Sequence, residues 1–493
     1  MKISIDKSSK VPVYLQIADQ IKAQIISGAL PRSSALPSER TLAQILDVHR
    51  NTVVKAYGEL KSDAWIESRQ GVGYLVASAS TEKEPVGESG EGVQMGRVNW
   101  VNEVADKYLD MEKTFDDLFQ RFTDESHFSL GSGIASREVY TSERVAHDIA
   151  GLLTGSGPSQ YFFSPYKGDR FLRQKLASFL GTKGVKASSG EIQILSETNQ
   201  ALDFIVTLLV KPGDSVVMEE PVHPDMYRVM ELAGARILTV PVDEDGMNCD
   251  VLESLLTQTR PRLIFVNSSF HDPTGCILSL ERRKKLVELS SRYRIPIVEE
   301  DAASELVYDG DKLPPIKAFD TTGNVIYIYS FSLTFIPGLS LAFVTGNRDF
   351  VRALSYLVSV RLMASDWMTQ KLLGMYLDDG SYYSSLATFR EIYSGNRDLV
   401  CQKLDALAHL GVRYERPRGG VYVWCRLPDG VDSKHFINRA YNMGVTLIPG
   451  HVFYPYKNGG RDYIRINYSY ESRERLARGM DVLHKALEEE LEE

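Results

Sequence analysis

From Trp100 onward, strand-like and helix-like segments alternate along the chain, and this alternation limits the fold more than any other feature. The best strand candidates are Ile192–Leu195, Ser215–Met218, Arg262–Val266, Ile295–Val298 and Val325–Ile328, short apolar runs separated by longer stretches. That order predicts a sheet wrapped by helices, the α/β class. After about Gly374 the pattern changes: Tyr422–Leu427, Val445–Ile448 and Tyr463–Tyr468 predict a smaller α+β subdomain closing on the large one. No internal repeat is evident.

A chain of 493 residues is too long for one ordinary core, and 43% hydrophobic with 25% charged residues is the composition of a soluble globular protein. No apolar run approaches the roughly 18 residues needed to span a bilayer, and Met1–Asp6 lacks the apolar stretch of a signal peptide. A cytoplasmic protein without membrane contact is therefore expected. Four cysteines, Cys249, Cys276, Cys401 and Cys425, lie far apart without metal-ligand spacing, which argues for buried thiols and against zinc or a disulfide framework. The net charge of −9 opposes nonspecific coating of nucleic acid by the whole molecule but allows one locally basic domain.

Such a domain is legible over residues 1–76. Val11-Pro12-Val13-Tyr14 opens a helix with apolar positions Tyr14, Ile17, Ala18, Ile21 and Ile25, and Gly28 supplies the stop. Ser38 caps a second helix with Leu42, Ile45 and Leu46 as its inner face. Asp47-Val48 turns the chain into a third helix. There Val53, Ala56, Tyr57 and Leu60 face inward and Arg50, Asn51 and Lys55 outward. Two short helices joined this closely have helix-turn-helix geometry. Trp65–Ser68 and Gly73–Val76 read as a two-stranded wing. Residues 77–98 are Ser, Glu and Gly with little to bury, a flexible linker.

Leu36-Pro37-Ser38-Glu39-Arg40, Arg50-Asn51-Thr52-Val53 and the Gly71-Val72-Gly73 wing stand in the order and spacing of the GntR family of winged-helix regulators, which this segment strongly resembles. Asp47, His49 and Ala64 depart from the usual Gly, Ser and Gly. The resemblance implies binding to double-stranded operator DNA, with Arg40, His49, Arg50, Asn51, Thr52, Lys55 and Arg69 as contacts and Gly71 at a wing tip entering the minor groove.

Tyr166-Lys167-Gly168, Gln200-Ala201-Leu202-Asp203, Asp272-Pro273-Thr274-Gly275, Gly419-Gly420 and Pro449-Gly450 form a second ordered series. With it, residues 125–489 resemble the aminotransferase-like domain of MocR-type regulators, itself similar to fold-type-I pyridoxal-phosphate enzymes. The resemblance implies a winged helix-turn-helix followed by an aminotransferase-like large α/β domain over 99–373, a small α+β subdomain over 374–493, and a homodimer.

The reactive parts of that family are replaced here. Its Ser-x-Ser-Lys-Thr-x-x-Pro-Gly-x-Arg segment aligns with Ser330–Ser340, so Leu333 stands where the Schiff-base lysine belongs and Ser340 where the phosphate-holding arginine belongs. An isobutyl group has no nitrogen to condense with an aldehyde. Glu300 takes the ring-nitrogen aspartate position, Ala302 the ring phenol, and Glu197 sits in a loop that should be rich in glycine. His223 replaces a usual aromatic, and Asp272 stands where a neutral residue is typical.

No pyridoxal phosphate, no metal and no catalytic residue are expected, and the chain reads as a transcriptional regulator without transaminase activity. Arg465 matches the arginine that grips a substrate carboxylate in the family. Either the pocket still senses a carboxylate-bearing effector through Arg465, or Arg465 is paired internally with Glu197, Glu300 or Asp301. Two other readings stay open: a pyridoxal-phosphate-binding regulator or aminotransferase, and a large domain that is only a dimerisation scaffold.

Overall fold

The computed structural model describes residues 3, 5, 12–26, 30–31, 34–46, 48–62, 65–69, 73–76, 121, 126–136, 138–140, 142–155, 165–336, 338–362 and 366–492. The chain divides into two compact units, Met1–Glu112 and Lys113–Glu493. The expected linker, 77–98, lies outside the described residues.

In the first unit, α1 (Val13–Ile26), α2 (Glu39–Leu46) and α3 (Arg50–Ser62) pack before a hairpin of β1 (Ile66–Arg69) and β2 (Gly73–Val76). Ile17, Ala18 and Ile21 of α1 meet Leu42 of α2 and Val53, Ala56, Tyr57 and Leu60 of α3 in one buried cluster. Each large apolar side chain buried there contributes about 1.5–3 kcal/mol. Ser38 caps α2 as expected, its Oγ accepting from the Thr41 amide at 3.1 Å. One expected core residue is not in the core: Ile45 is 65% exposed. At 100° per residue the face made by Leu42, Ala43 and Leu46 is centred roughly 110° away from Ile45, which therefore falls on the outer flank of this short helix.

The second unit holds an eight-stranded sheet in the order β4-β11-β10-β9-β8-β5-β6-β7, and a short β3 (Phe128–Ser129) lies apart from it. The strands are β4 (Ile192–Leu195), β5 (Ser215–Glu220), β6 (Arg236–Asp243), β7 (Gly246–Met247), β8 (Ile264–Asn267), β9 (Ile297–Asp301), β10 (Val325–Ser330) and β11 (Ala342–Thr345). The central pairs are parallel, and β11 runs antiparallel between β10 and β4. All five expected strands are present within a few residues. Two of the others, β6 and β11, did not stand out in the sequence. β6 is half exposed and interrupted by Pro241, and β11 follows the Phe331–Leu341 loop so closely that its apolar run merges with the loop.

Both faces of this sheet are covered. Along β10, Ile326 and Ile328 join the cluster under the helices Thr198–Leu209 and Arg348–Arg361, whereas Tyr327 and Tyr329 join the cluster on the other side. Alternation of this kind on a strand buried on both faces is what parallel α/β sheets require.

A four-stranded sheet, order β12-β13-β16-β15, forms the expected smaller α+β part: β12 (Arg413–Tyr414), β13 (Tyr422–Arg426), β15 (Ile448–Pro449) and β16 (Tyr463–Asn467). The single strand expected over Val445–Ile448 is instead two. β14 (Val445–Thr446) pairs with β3, and after the buried Leu447 the chain crosses to β16 as β15. The helix Trp367–Asp379 runs through Gly374, the expected boundary, and ends at Gly380 with φ 82°. All four cysteines are free thiols, and three of them are buried. No described helix is long and apolar enough to cross a membrane.

Candidate functional site

In the first unit the exposed N-terminal part of α3 carries several of the residues expected to contact DNA, with Arg40 on α2 and Arg69 on β1. His49 precedes the helix and its Nδ1 accepts from the Asn51 amide at 3.2 Å, so it caps α3 in addition to standing at its tip. Arg50 is exposed and its guanidinium lies 3.1 Å from Glu39 of α2, whose other carboxylate oxygen accepts from the Tyr74 hydroxyl at 3.0 Å. That relay ties the start of α3, the start of α2 and β2 together. Arg40, Asn51 and Lys55 are exposed on the same unit and Thr52 is half-buried. Arg69 ends β1; its side chain and Gly71 lie outside what is described.

In the second unit a cavity of about 170 Å³ opens beyond the C-terminal ends of β8, β9 and β10. Ligands of open α/β sheets bind at such strand ends. Glu300 and Asn267 reach it because they are register partners on β9 and β8, and the Asn267 amide donates to the Glu300 carboxyl. Leu333 and Ser332 come from the loop after β10, Ala302 and Ala303 from the turn after β9, Thr198 from the start of the helix after β4, and Tyr422 from β13. Gly419 and Gly420 let that β13 segment close in: a Cβ on Gly419 would stand 2.2 Å from both Leu306 O and the Phe270 ring, and Gly420 has φ 72°.

Of the residues expected around a degenerate cofactor site, Glu300, Ala302 and Leu333 line this cavity together. Leu333 is 5% exposed. Glu197 does not line the cavity. It is exposed just before the helix Thr198–Leu209, and its side chain makes no capping bond, so Thr198 is the residue from that loop on the wall. Ser340 is half-buried and also absent from the wall. Among the described residues no lysine or arginine lines the cavity.

Arg465 does not face an open site. Its Nη1 lies 2.8 and 2.7 Å from the two oxygens of Asp272, its Nη2 donates to Gly131 O at 2.9 Å, and its guanidinium stacks 4.2 Å over the Tyr422 ring. The internal partner is thus Asp272, and none of Glu197, Glu300 or Asp301. Asp272 sits on the Pro-Thr-Gly turn, which β13 and β16 face, and so meets Arg465 across the two sheets. Burial works against the Arg465 charge, but the Asp272 carboxylate outweighs it and holds the group above its ordinary value.

The carboxyls of β9 divide by face. Glu299 accepts from Ser268 Oγ and from the Ile316 and Lys317 amides. Asp301 accepts from the Tyr327 hydroxyl and the Ser304 amide and lies 3.7 Å from the buried ammonium of Lys183, which also pairs with Glu305 at 2.7 Å. Burial would raise the Asp301 carboxyl, yet Lys183 and these hydrogen bonds keep it below its usual value. Glu300 points the other way and has no cation beside it among the described residues. Burial first, then repulsion from Asp301 and Asp272, pushes it up to about 8. Behind it, burial raises Glu219 well above the carboxylate range and lowers His271 to about 4, with the two side chains 3.7 Å apart.

Sequence reasoning missed Asn267, Lys183 and the Glu219–His271 pair. Lys183 occupies a helix C-cap, where a lysine is ordinary, and only the tertiary fold closes it over Asp301.

Residues 13–76 match the family of bacterial regulatory proteins, gntR family, and residues 125–483 match Aminotransferase class I and II. The HTH-type transcriptional regulator YdfD of Bacillus subtilis is 28% identical over 481 residues, spanning 96% of each chain. The rhizopine catabolism regulatory protein MocR of Rhizobium meliloti is 28% identical, over 90% of this chain and 88% of that one. Among solved structures, kynurenine aminotransferase of Pyrococcus horikoshii superposes with a TM-score of 0.75 at 27% identity, covering 80% of this chain and 98% of that one. The chain therefore belongs to the class I and II aminotransferase family over its larger part and, with its gntR-family helix-turn-helix domain in front, to the MocR-type transcriptional regulators.

Proposed function

We propose that this chain is a DNA-binding transcriptional regulator whose larger part dimerises and senses a small effector without Schiff-base chemistry. In this reading residues 1–76 bind operator DNA through Arg40, His49, Arg50, Asn51, Thr52, Lys55, Arg69 and Gly71. Residues 77–98 tether them to a large domain, 99–373, and a small subdomain, 374–493. A homodimer would present two winged helices, so its operator would hold two half-sites spaced by linker reach. A regulator of this kind works in the cytoplasm.

The observation that carries the reading is the position of Leu333. Its buried isobutyl group forms part of the cavity wall, and the motif resemblance assigns this position to a lysine. Pyridoxal phosphate does not fit the residues present. It needs an amine for its aldehyde, donors for a phosphate dianion and a carboxylate to hold a protonated ring nitrogen. The wall offers a hydrocarbon, no lysine or arginine among the described residues, and a Glu300 carboxyl that burial favours in its neutral form.

Absorbance spectroscopy of the purified protein titrated with pyridoxal phosphate tests this. The reading expects only the spectrum of the free aldehyde. A protein-bound band between roughly 330 and 430 nm would overturn it.

A further inference from the structure

The cavity described above is charged in an uneven way. Its cationic neighbour, Arg465, is held by Asp272 and does not reach the wall, while Glu300, 7% exposed and part of the wall, receives one side-chain hydrogen bond among the described residues, from the neutral amide of Asn267. Asn267 also lines the cavity and its Oδ1 is buried without a donor among the described residues. Thr198 and Ser332 add hydroxyls, and Met226, Phe270 and Leu333 add apolar wall. A cavity with acceptors to fill and no lysine or arginine among the described residues of its wall suits a donor that brings positive charge.

We infer that the cavity binds a small aliphatic amine in its protonated form, with Glu300 as counter-ion, Asn267 as a further acceptor and the Leu333 side against the hydrocarbon. This rests on the effector-sensing reading and names the class of effector. It replaces the carboxylate-bearing effector suggested by Arg465, because that arginine already has its carboxylate. A volume of about 170 Å³ matches a molecule of a few heavy atoms.

The groups around Glu300 set the proton balance. On its own strand Glu299 and Asp301 face away, toward Arg283 and Lys183, and from the neighbouring loops come Asp272, paired with Arg465, and His223, 3.9 Å from Asp272. Burial raises the Glu219 carboxyl beneath and lowers the His271 imidazole to about 4. An ammonium arriving beside Glu300 therefore ionises it, and one proton leaves to solvent when the pH is below about 8.

The test is calorimetric titration of the full chain with n-butylamine hydrochloride, butyramide and sodium butyrate, each in two buffers of different ionisation enthalpy at neutral pH. The amine should bind saturably with proton release, and the amide and the acid roughly tenfold to a hundredfold more weakly. Glu300→Gln should weaken the amine by a similar factor while its unliganded melting temperature does not fall. Preferential binding of butyrate or butyramide would overturn the inference and leave the sensing reading standing. Saturable heat from none of the three would overturn both. Undiminished amine binding by Glu300→Gln would place the amine elsewhere and also overturn the inference.

Discussion

Asp272 and Arg465 form a closed ion pair, 2.7 Å apart, between the turn after β8 and the centre of β16. Arg465 is 2% exposed, so this contact joins the large and the small sheet where water hardly reaches.

Removing one member of this pair leaves the other buried and uncompensated. Asp272→Asn should lower unfolding stability by about 3–5 kcal/mol, seen as a lower urea midpoint with unchanged slope. The same variant, with Arg465 released, should gain stabilisation by added butyrate that the parent lacks. A variant as stable as the parent would show that the pair is not closed in solution.

Arg50 is exposed and its ion pair with Glu39 is worth little to the fold. Arg50→Ala should therefore leave the melting temperature nearly unchanged while weakening operator binding by about 1–3 kcal/mol for a lost bidentate base contact. Gel-shift titration at fixed salt measures this. Equal affinity of parent and variant would remove Arg50 from the interface.

Glu300 makes stability fall as pH rises. Its folded pKa of about 8 lies above the ordinary carboxylate value, so between the two the folded state holds a proton that the unfolded chain has lost. The stability advantage of Glu300→Gln over the parent should grow from about pH 5 to pH 8, with a limiting slope near 1.4 kcal/mol per unit. Urea unfolding of both proteins across that range measures the difference. A constant difference would mean that Glu300 is ionised throughout.

Much of this was legible in the sequence because local pattern and tertiary role agree. Val53, Ala56, Tyr57 and Leu60 have helical spacing and fill the core of the first unit, and the apolar run of β10 lies in the middle of the sheet. Leu333, Glu300 and Ala302, which the family resemblance picks out, meet on one wall, whereas Glu197 and Ser340, picked out in the same way, do not reach it. Features set by contacts between distant segments were not legible. Asp272 was marked as unusual, but its partner lies 193 positions on and needs two sheets to be brought together. Ile45 has the spacing of a core residue and is left outside because α2 is covered on one narrow face only. Lys183 reads as a surface cap until the Asp301–Glu305 turn folds over it.

The central claim, that the larger domain has no amine placed to capture pyridoxal phosphate, is tested most directly by trapping. The protein is incubated with pyridoxal phosphate, reduced with borohydride, digested and mapped by mass spectrometry, with Leu333→Lys alongside. The account predicts no pyridoxyl adduct on the parent beyond what exposed lysines give after denaturation. A specific, stoichiometric adduct on a lysine of the folded parent would contradict it.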